Sequence, residues 1–426
     1  MEMKRAEMRG NSGMKESAAS QPGLAFGYAE PALDPLLQYS VRQQLEALTK
    51  EKLTDWQRRC LLRESFTETI TTVLQQEKTD HQTLTRLFEN MYQCAVQSMA
   101  LAGLSQEVLT RQYIGSTGLV MSPLNCRTTI QDIYRVKGFT RGIDQAIRAK
   151  LAHKESIHIL YPACGPFAPL MLPLLQYYQE KAVFSSEQIQ LTLVDVQPGA
   201  IQTLHQLVSD LGLDAYVAQL AEADATAFQP EQSFDLLILE AMQHGFTKEG
   251  QLSIAKHLVP FLSVDGSLIP AEISVRGMLV HGETEFNQQW QTAKYAHSDN
   301  ISEQAQADRV ELGEIFKITK SSLLGMAEIE LQSGVKVIRA NQVKIPSGVA
   351  DMKDRILAIY AHIETFAGES VGPYDSGITH PCPDMSFYVD MQPRVTSSQN
   401  FVVRSGETVQ FYYQLTGLPG FVATKG

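Results

Sequence analysis

The sequence predicts an α/β protein with an open, doubly wound sheet, preceded by a helical region and followed by an antiparallel β region. Three observations indicate this fold class. Residues 31–112 show helical spacing of apolar side chains, residues 157–275 alternate apolar runs with helical stretches, and the chain after 275 contains short β-type segments. Alternation of strands and helices is typical of a parallel sheet.

Composition indicates a globular protein and excludes some function classes. The chain has 426 residues, of which 44% are hydrophobic and 19% charged. A length above about 250–300 residues predicts two or three domains. The net charge of −11 argues against a nucleic-acid partner, because such proteins concentrate Lys and Arg. It is compatible with a cationic small-molecule substrate.

The cysteine pattern favours neither a metal site nor a disulfide framework. Five cysteines are widely spaced, with no CxxC pair and an odd count. A reducing, cytoplasmic compartment is therefore expected. Residues 1–28 are polar, lack the apolar stretch of a signal peptide and are predicted to be a disordered tail. No segment is apolar enough to predict a membrane span.

The N-terminal part is expected to be a helical domain over residues 29–125. Apolar residues recur at three-to-four spacing, as in Leu84, Leu87 and Met91, and the pattern predicts about four helices within 31–112. The Gly- and Pro-containing stretch that follows, residues 115–125, predicts turns. A further helix from Thr128 to about Ala152 leads into the sheet.

The central part, residues 126–275, carries the alternating pattern. Strands are predicted at 157–160, 191–196, 234–239 and 267–269, and helices at about 168–180, 198–212 and 249–262. The remaining residues, 276–426, are predicted to form a separate antiparallel β domain. Its expected strands are 327–332, 336–339, 386–389 and 409–413, with helical insertions near 285–308 and 348–367.

Two strand ends predict a nucleotide site. The first strand runs into Ala163-Cys164-Gly165, where small residues let a backbone approach a ligand. The second strand ends in Asp195, and an acid at this position accepts the hydroxyls of a ribose. Asp224 is a candidate contact for an adenine edge. The alternatives are a tight turn without ligand, a capping Asp195 and a loop carboxylate at Asp224.

Two glutamates follow the strand at 234–239. Glu240 and Glu249 lie nine residues apart, and Met242 and His244 lie between them. Two carboxylates at the carboxyl end of a strand can clamp a planar guanidinium through bidentate hydrogen bonds. The alternative is a strand-end acid followed by an acid favoured by a helix dipole.

These elements in this order resemble a class I S-adenosylmethionine-dependent methyltransferase, whose sheet is Rossmann-like. Three stretches sharpen the resemblance to the protein arginine methyltransferase family. They are Asp132-Ile-Tyr-Arg135 with Phe139, the two glutamates with Met242, and Leu258–Pro270. Thr379-His380 further resembles the family's Thr-His-Trp loop. The likeness spans roughly residues 125 to 415.

The resemblance implies roles for the residues that match the family's motifs. Arg135, the turn Ala163-Cys164-Gly165, Asp195, Asp224 and Glu240 would bind S-adenosyl-L-methionine. Glu240, Met242, His244, Glu249 and His380 would bind the acceptor, with Glu240, Glu249 and His380 catalytic. No metal is implied. The family also implies a β-barrel, substrate-binding and dimerisation domain, hence a homodimer.

The sequence departs from the family at five positions in or beside these motifs. Ala163 and Phe167 stand where glycine is usual, Tyr161 replaces an acid, and Ala241 and Pro381 replace tryptophans. The helical region 31–112 has no counterpart in the family core, and one interpretation is a cap that excludes large protein substrates.

The leading hypothesis is methylation of a guanidino group on a small molecule such as free L-arginine. Three alternatives stay open: a protein arginine methyltransferase, an S-adenosylmethionine-using aminocarboxypropyl transferase or cyclase that releases methylthioadenosine, and a binding scaffold without activity.

Overall fold

The computed structural model of the protein describes residues 53–76, 79–287, 303–390 and 401–426. From Thr54 to Gly426 the described residues belong to one compact unit. The predicted tail over 1–28 lies outside the described residues, and so does the start of the predicted helical region, 29–52. The domain boundaries predicted at 125 and 275 stay predictions.

The first described elements are helical, as predicted. They are α1 (Asp55–Gln75), α2 (His81–Leu101), α3 (Gln106–Thr110), α4 (Pro123–Cys126) and α5 (Ile133–Leu151), with a 3-10 turn at Arg127–Gln131 between the last two. The first helix begins at a capping box, in which Thr54 and Gln57 exchange side-chain and backbone hydrogen bonds. A short hairpin, β1 (Tyr113–Ile114) and β2 (Leu119–Val120), interrupts the series where turns were predicted.

A five-stranded parallel sheet forms the centre of the molecule. Its strands are β3 (Ile157–Pro162), β4 (Ile189–Asp195), β5 (Val217–Glu222), β6 (Phe234–Ile238) and β7 (Leu262–Ile269). The strand order is β5-β4-β3-β6-β7, so the chain reverses its direction of winding between β3 and β6. The carboxyl ends of the strands at such a switch point form the crevice in which open α/β sheets bind ligands.

Helices connect the parallel strands, as the doubly wound prediction requires. They are α6 (Leu172–Glu180), α7 (Pro198–Leu211) and α8 (Gln251–Leu258), the last followed by a 3-10 turn at Val259–Phe261. The N-terminal helix α1 packs against α6 and α7. Arg58 donates hydrogen bonds of 2.6 and 2.7 Å to the two carboxylate oxygens of the fully buried Asp210 on α7, which joins the helical region to the sheet.

The C-terminal part consists of two further sheets. A six-stranded sheet contains β8 (Glu272–His281), β9 (Val310–Thr319), β12 (Arg355–Phe366), β13 (Glu369–Val371), β14 (Cys382–Val389) and β15 (Phe401–Val403). A four-stranded sheet contains β10 (Ile329–Glu330), β11 (Lys336–Lys344), β16 (Thr408–Gln414) and β17 (Gly420–Lys425). All pairs are antiparallel except β14 with β15.

The fold class predicted from the sequence is confirmed: helices precede an open parallel sheet, and antiparallel strands follow it. The β-barrel is not shown, because neither antiparallel sheet closes on itself within the described ranges. The homodimer stays a prediction.

The helical insertion predicted at 348–367 is wrong. Only Met352–Asp354 forms a 3-10 turn there, and β12 occupies Arg355–Phe366. This strand lies between β8 and β14, and side chains on both of its faces are buried. A strand covered on both faces loses the alternation of apolar and polar residues by which strands are recognised.

The insertion predicted at 285–308 is helical where it is described, in α9 (Gly282–Phe286) and α10 (Glu303–Ala307), and residues 288–302 lie outside the described residues. A last short helix, α11 (Lys320–Gly325), follows β9. None of the helices in the described ranges combines the length and apolarity needed to cross a membrane.

Candidate active site

Two adjoining cavities lie at the carboxyl ends of the central strands. The first cavity, of about 160 Å³, is lined by the β1–β2 hairpin and by Asp195, Gln197, Asp224 and Glu249. The second cavity, of about 460 Å³, is lined by Arg135, Tyr161, Glu240, His244 and Glu249, among others. Glu249 lines both cavities, so it stands where they meet.

Asp195, the last residue of β4, is buried beside the first cavity and fixed by two backbone amides. Gly165 donates to its Oδ2 at 2.9 Å, and Gln197 donates to its Oδ1 at 2.8 Å. Burial raises the pKa of this carboxyl, and the two amide donors oppose the shift. Each oxygen keeps a free lone pair for a ligand hydroxyl. The acid therefore stands where the sequence predicts a ribose contact.

The turn after β3 brings its backbone to both cavities. Ala163 and Gly165 line each of them, and both have positive φ angles, 49° and 65°. The left-handed region suits glycine but is unfavourable for alanine by about 1–2 kcal/mol. The Gly165 amide is directed at Asp195, whereas the sequence predicts a ligand contact for it. Cys164 is buried, and burial raises its thiol pKa well above the ordinary value.

The β1–β2 hairpin forms a wall of the first cavity. Its tip, Gly115 to Gly118, lines that cavity, and Leu119 donates a 2.7 Å hydrogen bond to the backbone oxygen of Lys248. A Cβ atom added to Gly118 would come within 2.8 Å of the carbonyl carbon of Glu249. The hairpin thus packs directly on the backbone that carries Glu249.

Arg135 and Glu240 form a buried ion pair in the second cavity. Arg135 Nη1 donates to Glu240 Oε2 at 3.2 Å, and Arg135 Nε lies 3.2 Å from Asp132 Oδ2. Burial opposes the charge of the guanidinium, but Glu240 and Asp132 raise its pKa. The other carboxylate oxygen, Glu240 Oε1, is buried without a hydrogen-bond partner. An unsatisfied buried carboxylate oxygen is costly, and a donor from a ligand would satisfy it.

The backbone around Glu240 is held by Gln251, a buried side chain at the start of α8. Gln251 Oε1 accepts from the Ala241 amide at 2.7 Å, and its Nε2 donates to the Leu239 oxygen at 3.0 Å. These two bonds bracket Glu240, so its backbone is fixed from both sides.

Glu249 has a strongly shifted titration. Burial, and then the neighbouring Glu240 charge, raise its pKa from 4.5 to about 7, while the Gln243 side chain and Arg135 oppose the shift. At neutral pH this carboxyl is therefore partly protonated, whereas an ordinary glutamate is ionised.

The remaining predicted residues divide into those at the site and one beside it. Met242 and His244 line the second cavity, and burial and Lys248 lower the His244 pKa. Asp224 lines the first cavity and accepts from the Thr226 amide and hydroxyl at 2.8 and 2.7 Å. His380 lines neither cavity: its Nε2 lies 2.9 Å from the Tyr374 backbone oxygen.

The expected cap over the site is not formed by the described part of the helical region. The cavities are lined from Tyr113 onward, whereas α1 packs on α6 and α7. Sequence reasoning missed the hairpin wall and Gln197. The Gly-Ser-Thr-Gly turn between Tyr-Ile and Leu-Val is a signal for a hairpin, but nothing in the sequence marks Gln197.

Neither protein-family models nor curated proteins match this chain. Among solved structures, the chain is similar to the Trypanosoma brucei PRMT1 enzyme–prozyme heterotetrameric complex with AdoHcy, with 11% sequence identity and a TM-score of 0.38. That alignment covers 70% of this chain and 95% of the other.

Proposed function

We propose that this protein is an S-adenosylmethionine-dependent N-methyltransferase acting on a guanidino group of a small molecule, with free L-arginine as the first candidate. One observation carries the proposal. A cavity with a ribose-type acid, Asp195, meets at Glu249 a second cavity that contains a buried and incompletely hydrogen-bonded carboxylate, Glu240.

The residues that line the first cavity are of the types that bind the nucleoside part of the cofactor. Asp195 presents a carboxylate at the carboxyl end of β4, and the turn at Ala163 brings backbone to the cavity without a long side chain. Asp224, which lines this cavity, would accept from a polar edge of the base, and Arg135, which lines the second cavity, would bind the methionyl carboxylate. S-adenosylmethionine, when bound, supplies a methyl group on a positively charged sulfur.

The charge of the second cavity favours a cationic acceptor. Three carboxylates, those of Asp132, Glu240 and Glu249, line it together with one guanidinium, that of Arg135. When all of them ionise, negative charge is in excess. The volume of about 460 Å³ lies within the usual range for small-molecule sites, roughly 300–1,000 Å³.

Glu240 and Glu249 supply the chemistry expected for a guanidinium acceptor. Carboxylates that accept from its non-reacting nitrogens concentrate positive charge there and leave electron density on the reacting nitrogen. Glu249 then accepts the proton that the methylated nitrogen releases, because a base with a pKa of about 7 is about half ionised at neutral pH and is more basic than an ordinary glutamate. His380 is less suited to this role, since its Nε2 is engaged by Tyr374.

The test supplies methyl-labelled S-adenosylmethionine with free L-arginine, with a Gly-Arg-rich peptide, or with no acceptor. Label in arginine together with S-adenosylhomocysteine is the expected result. Label in the peptide alone would assign the protein-directed alternative. Methylthioadenosine as the spent nucleoside would show that the methyl group is not the group transferred, and the proposal would then be wrong.

A further inference from the structure

Gln197 connects the strand-end acid with the hairpin wall. Its backbone amide donates to Asp195 Oδ1 at 2.8 Å, and its side-chain Nε2 donates to the oxygens of Arg111 and Met121 at 2.7 and 2.8 Å. Both side-chain acceptors are carbonyls, so the amide has one sensible orientation. The residue is 3% exposed.

The two carbonyls that Gln197 holds flank the hairpin. Arg111 precedes β1 and Met121 follows β2, so one side chain closes the base of the loop. Each strand has only two residues, and an isolated hairpin of this size is marginal in water. The position of the hairpin therefore depends on outside contacts, of which Gln197 supplies two. Its tip packs on the Glu249 backbone at Gly118.

The other polar atom of the Gln197 side chain, Oε1, is unsatisfied. Gln197 lines the first cavity, and its Oε1 is buried without a hydrogen-bond partner. A buried acceptor that makes no hydrogen bond destabilises the ligand-free protein. An N–H or O–H donor on a ligand in the first cavity would remove that penalty.

We propose that Gln197 is a positioning residue: it fixes the hairpin against Glu249 through Nε2, and its Oε1 accepts a hydrogen bond from the nucleoside in the first cavity. Occupancy of the first cavity and the environment of Glu249 are thereby coupled. The identity of the ligand rests on the proposed function, whereas the hairpin role does not.

The first test needs no ligand. Gln197→Met keeps the length of the side chain but removes both donors. Gln190→Met is the matched control, because Gln190 Nε2 also donates to two backbone oxygens, those of Ser186 and Ala215, away from both cavities. Hydrogen–deuterium exchange of residues 111–121 should be about tenfold faster in the Gln197 variant only, reflecting two lost neutral hydrogen bonds. Native exchange there would overturn the proposal.

Should Gln197→Met not fold, Gln197→Leu provides the same test, because it lacks the two donors and buries no charge beside the two carbonyl oxygens. Exchange of 111–121 at the native rate in this variant would also contradict the proposal. Thermal unfolding monitored beside Gln190→Met establishes that each variant is folded before exchange is compared.

The second test measures the coupling. Gln197→Met should bind S-adenosylhomocysteine about tenfold more weakly by calorimetry. The pKa of Glu249, read from the pH dependence of turnover, should fall from about 7 towards its ordinary value because water reaches the loosened wall. If the midpoint of the pH dependence of turnover is unchanged in Gln197→Met, the proposed coupling between the first cavity and Glu249 is wrong. Failure of the native protein to bind the nucleoside would instead overturn the proposed function and leave the ligand-free test standing.

Discussion

The two cavities differ in how fully the buried carboxylate in each of them is hydrogen-bonded. In the first cavity, both oxygens of Asp195 accept hydrogen bonds from backbone amides. Such donors are held in place by the main chain and do not depend on the conformation of a side chain. In the second, Glu240 contacts one guanidinium, has an oxygen without a partner and lies close enough to Glu249 to raise its pKa. We therefore call the first cavity the satisfied end and the second the unsatisfied end, with reference to the hydrogen bonds of these carboxylates alone.

This difference indicates what each end is built to do. An acid held by rigid donors recognises an invariant ligand part at little reorganisation cost. Carboxylates whose charge is not compensated bind a cationic acceptor well. They also stabilise a transition state in which the acceptor carries more positive charge than in the ground state. Recognition is thus expected at Asp195 and chemistry at Glu240 and Glu249.

The largest expected effect comes from Glu240→Gln, which breaks the unsatisfied end. Removing one charge from a group that stabilises the transition state typically costs about 100- to 1,000-fold in turnover. We expect that loss in kcat/KM for the acceptor, with the affinity for S-adenosylhomocysteine changed less than about threefold. The measurements are steady-state kinetics and calorimetry.

Thr129→Val is a useful companion to Glu240→Gln, because Thr129 also lines the second cavity but carries no charge. It should leave turnover nearly unchanged. If Glu240→Gln weakens nucleoside binding as much as turnover, the division between the two ends is wrong.

Asp195→Ala breaks the satisfied end and should give the next largest effect. It removes at least one charge-assisted hydrogen bond to the ligand, of about 1.5–3 kcal/mol, so nucleoside affinity should fall by at least about tenfold. Acceptor binding, measured without nucleoside, should be nearly native. Ser116→Ala serves as a control, because Ser116 lines the same cavity and carries no charge. Native nucleoside affinity in Asp195→Ala would exclude the ribose role.

The satisfied end was also the easier one to predict from the sequence. The turn at Ala163 and the acid at Asp195 follow apolar runs that are strands in the structure, β3 and β4, and the position of a strand end fixes where its next residue lies. The clamp glutamates were predicted by the same reasoning from β6. Strand order, in contrast, depends on pairings between segments far apart in the chain.

Three features were not predicted, each for a physical reason. Strand β5 lies at the edge of the sheet with half of its side chains solvated, so Val217–Glu222 has no apolar run. Strand β12 is buried on both faces, so its sequence lacks the alternation of a strand and predicts a helix instead. The pairing of Arg135 with Glu240 joins residues 105 positions apart, and no local pattern reports such a contact.

Glu249→Gln tests the unsatisfied end through stability, independently of function. The folded-state pKa of Glu249 is raised above 4.5 to about 7, so the folded protein binds a proton more tightly than the unfolded chain. Its contribution is fully favourable below pH 4.5 and is lost as pH rises to about 7. The variant should therefore be more stable than the native protein at pH 8, by about 1–3 kcal/mol after allowance for partial solvent exposure.

The measurement is thermal or denaturant unfolding at pH 4 and pH 8. At pH 4 the two proteins should be nearly equal, because Glu249 is then mostly protonated in both the folded and the unfolded state and resembles glutamine. Glu107→Gln, at an exposed position on α3, should show no such dependence. A difference of the same size at both pH values would mean that the carboxyl is not the titrating group.

Ala163→Gly gives the smallest expected effect. It tests whether the turn beside the first cavity is strained. With φ at 49°, Ala163 is strained by about 1–2 kcal/mol, and glycine removes that strain but adds about 0.5–1 kcal/mol of backbone entropy to be lost on folding. We expect a net gain of up to about 1 kcal/mol, measured by denaturant unfolding and independent of pH. Ala223→Gly is the control, because Ala223 also lines the first cavity and its φ is not positive, so it should lose stability. If both variants lose stability equally, the turn at Ala163 is not strained, and the rigidity of the first cavity comes only from the amides at Asp195.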